Sequence, residues 1–83
     1  MATSAQISLY PLKDDYIPPI KAVIRIFRDH DLHVDVGAMS TVISGETDEV
    51  FQALQAAYQR AAEDGHFILV VTLTNACPVP DAS

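Results

Sequence analysis

Side chains able to do acid, base or nucleophilic work are few in this sequence, and they are not grouped for it. The three histidines, His30, His33 and His66, fall near the ends of predicted elements. No two of them have the i, i+4 spacing that stacks metal ligands on one helix face. The single cysteine, Cys77, has no partner for an internal disulfide or a CxxC motif, and no cationic neighbours in sequence to lower its pKa. Asp14, Asp15, Asp29, Asp31, Asp48 and Glu49 cluster at predicted helix ends, where capping and solvated charge account for them. Glycine-rich phosphate loops, GxSxG and HExxH are absent. These residues therefore predict a non-catalytic protein with no metal site and no cofactor.

A second group of residues suits binding instead. Ser8 and Tyr10, then Ser40, Thr41 and Ser44, then Thr72, Thr74 and Asn75 place uncharged hydroxyls and an amide among apolar strand residues. Such a wall desolvates a small heteroaromatic ring and orients it with a few directed hydrogen bonds. The same residues are also ordinary strand formers, and composition leaves both readings open.

The elements that carry these residues follow from periodicity. Ala5, Ile7 and Leu9 alternate with Gln6, Ser8 and Tyr10, which predicts a first strand over 5–10 ended by Pro11. Asp14 or Asp15 is expected to cap a helix that tolerates Pro18 and Pro19 in its first turn, with Ile17, Ile20, Ile24 and Phe27 as the buried stripe and an end near His30-Asp31. Strands over 32–36 and 39–44 follow, close enough for a hairpin, with Gly45-Glu46 closing the second. Thr47 is the expected N-cap of a second helix, with Asp48 and Glu49 at its positive end and Val50, Leu54, Ala57 or Tyr58, and Ala61 buried. Gly65 suits the left-handed position past that helix, and the last strand spans 67–74. The order predicts an α+β, ferredoxin-like βαββαβ fold: a four-stranded antiparallel sheet with two helices on one face. The last strand is apolar on both sides. The helix-free face therefore needs a cover, and a second copy of the chain is expected there, as a homodimer or a dimer of dimers. Residues 78–83 have no core-forming pattern and read as a mobile tail.

With 83 residues the chain makes one domain. A net charge of −6 with only five Lys and Arg argues against nucleic acid. The longest apolar run, 67–73, is too short to cross a bilayer. The N-terminus lacks the basic residues of a secretory signal, so a cytoplasmic location is expected.

The stretch Ile7-Ser8-Leu9-Tyr10-Pro11-Leu12, the strand end Met39-Ser40-Thr41-Val42-Ile43-Ser44-Gly45, the following Asp48-Glu49-Val50-Phe51, and the closing Asn75-Ala76-Cys77-Pro78, in this order and spacing, resemble the YkoF family. That family binds thiamine and its hydroxymethylpyrimidine moiety on a ferredoxin-like fold. The resemblance implies a binding protein for one of these ligands, held against the first and third strands by Leu9 and Thr41 with Ser40 and Tyr10 as neighbours. YkoF carries two such modules in one chain, so a homodimer would replace the tandem here. Salvage or uptake is the implied setting, with a transporter or a thiamine-pathway enzyme as protein partner. A regulatory or oligomerisation module sensing another small metabolite is the alternative on the same fold.

Overall fold

The alternation of apolar residues builds a sheet around one long central strand. The structure, a computed structural model, describes residues 1–76. Its elements are β1 (Ala2–Pro11), α1 (Ile17–Asp29), β2 (His33–Val36), β3 (Thr41–Glu46), α2 (Thr47–Glu63) and β4 (Phe67–Thr74). All neighbouring strands are antiparallel in the order β2-β3-β1-β4, so β2 and β4 form the edges. This is the expected βαββαβ arrangement.

Register assigns each strand residue to a face. Ile7 pairs with Thr41 and Val71, and Ala5 with Ile43 and Leu73. This row meets both helices: Ala5, Ile7 and Ile43 form one buried cluster with Val23 and Phe27 of α1 and Val50, Ala53, Ala57 and Ala61 of α2. Phe27, Ile43 and Val50 are fully enclosed. The buried positions of α2 after Val50 are all alanine, and such small side chains let helices approach closely. The opposite face carries Gln6 beside Val42 and Thr72, Ser8 beside Val70, and Tyr10 beside Ile68. Tyr10, Ile68 and Val70 are each about half exposed there, at 52%, 53% and 49%.

Several local expectations are corrected. β1 starts at Ala2 rather than Ala5, because Thr3 and Ser4, polar in sequence, are buried and paired with β3. Ser4 and Ser44 share a hydroxyl bond of 2.9 Å, and Thr3 shares one of 2.7 Å with Thr47. β3 begins at Thr41 instead of Met39, leaving 37–40 as the hairpin loop. Neither Asp14 nor Asp15 caps α1, whose N-cap is Tyr16 without a side-chain bond. Thr47 lies inside α2 as its first residue, and its hydroxyl donates to the Met1 carbonyl at 3.0 Å. Pro19 and Val23 take the buried places in α1 with Phe27, while Ile20 and Ile24 are half-buried and Ile17 is exposed. In α2, Ala53 and Ala57 are buried, Leu54 is half-buried and Tyr58 exposed. Gly65 follows α2 with a φ of 124°, as its place past the helix end requires. Cys77 and the tail over 78–83 lie outside the described residues.

Candidate ligand-binding recess

At one end of the sheet, α1 and the 37–40 loop stand clear of β1 and β3 and enclose a recess of about 160 Å³. Ile7, Leu9 and Thr41 line it from the sheet, Ile20, Val23, Ile24 and Phe27 from α1, and Gly37 to Ser40 from the loop. The loop is held in place by backbone and side-chain bonds. The Gly37 amide donates to the Ser40 carbonyl at 2.8 Å, and the Ser8 hydroxyl reaches the Met39 carbonyl at 3.4 Å. A Cβ at Gly37 would lie 3.1 Å from the Ser40 oxygen, tight enough to press the turn open. Met39 stands at the rim, 88% exposed.

Thr41 is the polar group set deepest in this wall. Pairing with Ile7 and Val36 turns it toward the helices, and it is 8% exposed. Its hydroxyl has no hydrogen-bond partner among the described residues. No fully enclosed side-chain nitrogen or oxygen among those residues lacks a partner. The Thr41 oxygen is therefore reachable, and Thr41 is one of the residues that line the recess.

Of the residues expected at a ligand site, Leu9, Ser40 and Thr41 come together on this recess. Tyr10 does not: strand alternation turns it to the helix-free face beside Ile68. The hydroxyl cluster seen in the sequence divides the same way. Ser44 is committed to Ser4 on that face, and the Thr74 hydroxyl accepts from the Ala76 amide at 2.9 Å. The α1 side of the recess and the loop residues Gly37 to Met39 are not among the residues expected from sequence, where the α1 stripe reads only as core. Ile20, Ile24 and Phe27 fall on one flank of that helix, and this stripe was the available signal.

Among the described residues no ionisable side chain lines the recess. Among the described residues no group of three or more His, Cys, Asp or Glu side chains is placed to hold a metal ion. The Met1 amine, its pKa raised from 8.0 by a hydrogen bond to Glu46, sits at the other end of β1. An apolar cup with one deep hydroxyl, rimmed by a serine and backbone carbonyls, can take a small uncharged ring and offer it directed hydrogen bonds.

The chain is similar to known proteins over most of its length. It is 35% identical over 72 residues to YkoF of Bacillus subtilis, named as a candidate HMP/thiamine-binding protein, covering 86% of this chain and 36% of that one. It is 34% identical over 62 residues to the protein MJ1052 of Methanocaldococcus jannaschii, covering 72% of this chain and 62% of that one. In these sequence alignments the chain thus matches less than two thirds of either relative's length. Among solved structures, MJ1052 superposes with a TM-score of 0.83 at 25% identity, covering 92% of this chain and 81% of that one. The Streptococcus pneumoniae protein SP2199 reaches 0.86 at 23% identity, covering 96% and 92%, and shares the fold. The YKOF-related family's sequence profile matches residues 2–80. With that match spanning nearly the whole sequence, and the expected element order present, this chain belongs to the YKOF-related family.

Proposed function

We propose that this protein binds, without transforming it, thiamine or its hydroxymethylpyrimidine half, with the pyrimidine ring in the recess between β1, β3 and α1. The observation that carries this reading is the Thr41 hydroxyl, without a hydrogen-bond partner among the described residues, set deep in a largely apolar wall. A ring nitrogen or exocyclic amino group of the pyrimidine would complete that hydroxyl's bonding, while Leu9 and the α1 side chains cover the ring faces and Ser40 meets it at the rim. Size refines the choice. A recess of about 160 Å³ is below the roughly 300–1,000 Å³ of sites that enclose drug-sized molecules. It suits one ring, leaving the thiazolium of thiamine at the mouth near Met39, where a molecule of net charge −6 favours a cation.

The relative named for HMP/thiamine binding supports this ligand class. Its greater length fits a reading in which two copies of the present chain do together what one longer chain does there. A second copy would pack on the helix-free face bearing Tyr10, Ile68 and Val70, and the setting would be salvage or uptake.

Titration calorimetry with hydroxymethylpyrimidine and, separately, with thiamine tests the proposal. Saturable binding near micromolar strength, about −8 kcal/mol, is expected for at least one. Thr41→Val keeps the shape and removes the hydroxyl. It should weaken binding about fivefold, the loss of one hydrogen bond worth ~1 kcal/mol. Absence of heat with both ligands from folded, ligand-free protein would leave the fold and overturn the ligand assignment.

A further inference from the structure

The cations of this acidic chain are distributed unevenly. Of its five Lys and Arg residues, Lys21, Arg25 and Arg60 line a single groove between the outer surfaces of α1 and α2, with a volume of about 520 Å³. Ala22 and Ile26 of α1 line it too, and Ile17 and Pro18 flank one end. Lys21 and Arg25 stand one turn apart on the same helix and have no ion-pair partner among the described residues. Like charges at that spacing oppose each other, and although Asp29 lies one turn beyond Arg25, the two form no ion pair among the described residues. The first turn of α1 has no acidic residue to offset the positive end of its dipole, and Lys21 adds to that potential. Pro18 and Pro19 remove two of the amides that would otherwise meet an anion at a helix start, so recognition falls to the side chains.

Arg60 faces this pair from α2 and is held in place by Asp64 at 3.2 Å and Glu63 at 3.8 Å. Those contacts use the Nη1 end of a group with five donors, leaving others to point elsewhere. Among the described residues Asp29 is the one carboxylate lining the groove. It lies two helical turns beyond Lys21, so the Lys21 end is the cationic one. We infer that this groove is a second binding site, for a small organic anion that carries a phosphate or carboxylate on an apolar body. The anionic group sits between Lys21, Arg25 and Arg60, and the apolar body lies on Ala22 and Ile26.

This site shares no lining residue with the Thr41 recess, so the two assignments can fail separately. The test is a two-dimensional NMR titration with phenyl phosphate, inorganic phosphate and benzyl alcohol as probes. Phenyl phosphate should give saturable shifts at the amides of Ala22, Arg25 and Ile26 and at the Arg60 side chain. Inorganic phosphate should bind the same residues at least fivefold more weakly, and benzyl alcohol should leave them unmoved. Lys21→Gln with Arg25→Gln should lower phenyl phosphate affinity tenfold or more with the remaining spectrum intact, while Thr41→Val should leave it unchanged. Three results would each overturn the site: shifts that do not saturate, shifts confined to the Thr41 recess, or equal affinity in the double variant. If that variant does not fold, Arg60→Gln replaces it under the same criteria. Binding of an acidic peptide of Asp and Glu at these residues, with no effect of phenyl phosphate, would reject the small anion in favour of a protein partner.

Discussion

Four hydroxyls around the sheet, those of Thr3, Ser4, Ser44 and Thr47, are spent on one another or on backbone, whereas Thr41 has no such partner among the described residues. Sequence alone could not separate these roles, because Ser and Thr look alike until register decides which face each occupies. Thr41 was legible as a candidate, and the alternation of β1 already set Tyr10 on the face opposite Leu9, where the register places it beside Ile68. The Met1 amine offers a prediction at the same scale. It donates to the Glu46 carboxylate at 2.8 Å, and this bond, with the attraction of the two charges, raises its pKa from 8.0. A raised value means that the contact stabilises the fold fully below the unfolded amine's pKa and is lost as pH rises through the folded one. Both groups are well exposed, so the effect on stability is slight. NMR titration of the amine in a chain retaining Met1 should show the elevated pKa, and Glu46→Gln should return it toward 8.0.

All six elements were legible from periodicity, since alternation and three-to-four spacing are strong over the relevant lengths. Their ends were less so. Capping depends on whether a side chain meets a free amide, and at Asp14, Asp15 and Thr47 it does not. The polar start of β1 hid its pairing, which runs through hydroxyl bonds in place of apolar contact. Two glycines at element ends separate backbone strain from crowding. At Gly65 a Cβ would meet nothing within 4 Å, but φ is 124°, so Gly65→Ala should cost about 1 kcal/mol through the backbone. At Gly45 a Cβ would lie 2.7 Å from Leu32 Cδ2, and Leu32 packs against the core. Gly45→Ala should therefore cost more, about 1–3 kcal/mol from overpacking. Urea denaturation of both variants gives the comparison, and a Gly45→Ala loss no larger than that of Gly65→Ala would mean Leu32 moves aside freely.

For the whole molecule, the two faces of the sheet are unequal. The helices cover one, and the other shows Tyr10, Ile68 and Val70 to solvent in the single chain. If a second copy covers that face, Val70→Lys should convert the assembly to monomers in sedimentation velocity while leaving the helical circular dichroism unchanged. Wild-type protein that sediments as a monomer would remove the basis of the experiment and the proposed pairing with it. Among the described residues no helix is long and apolar enough to cross a membrane. The two sheet edges are unequal as well. β2 is four residues long and carries His33 and Asp35, whereas β4 presents eight residues, Phe67 to Thr74, without a charge or a proline. Short charged edges resist recruitment of further strands, and long neutral ones invite it. Among the described residues the sheet thus has one finished margin and one open to extension. Joining two molecules through β4 would leave only β2 margins outward, so growth along that axis would terminate at a closed pair instead of propagating as a fibre.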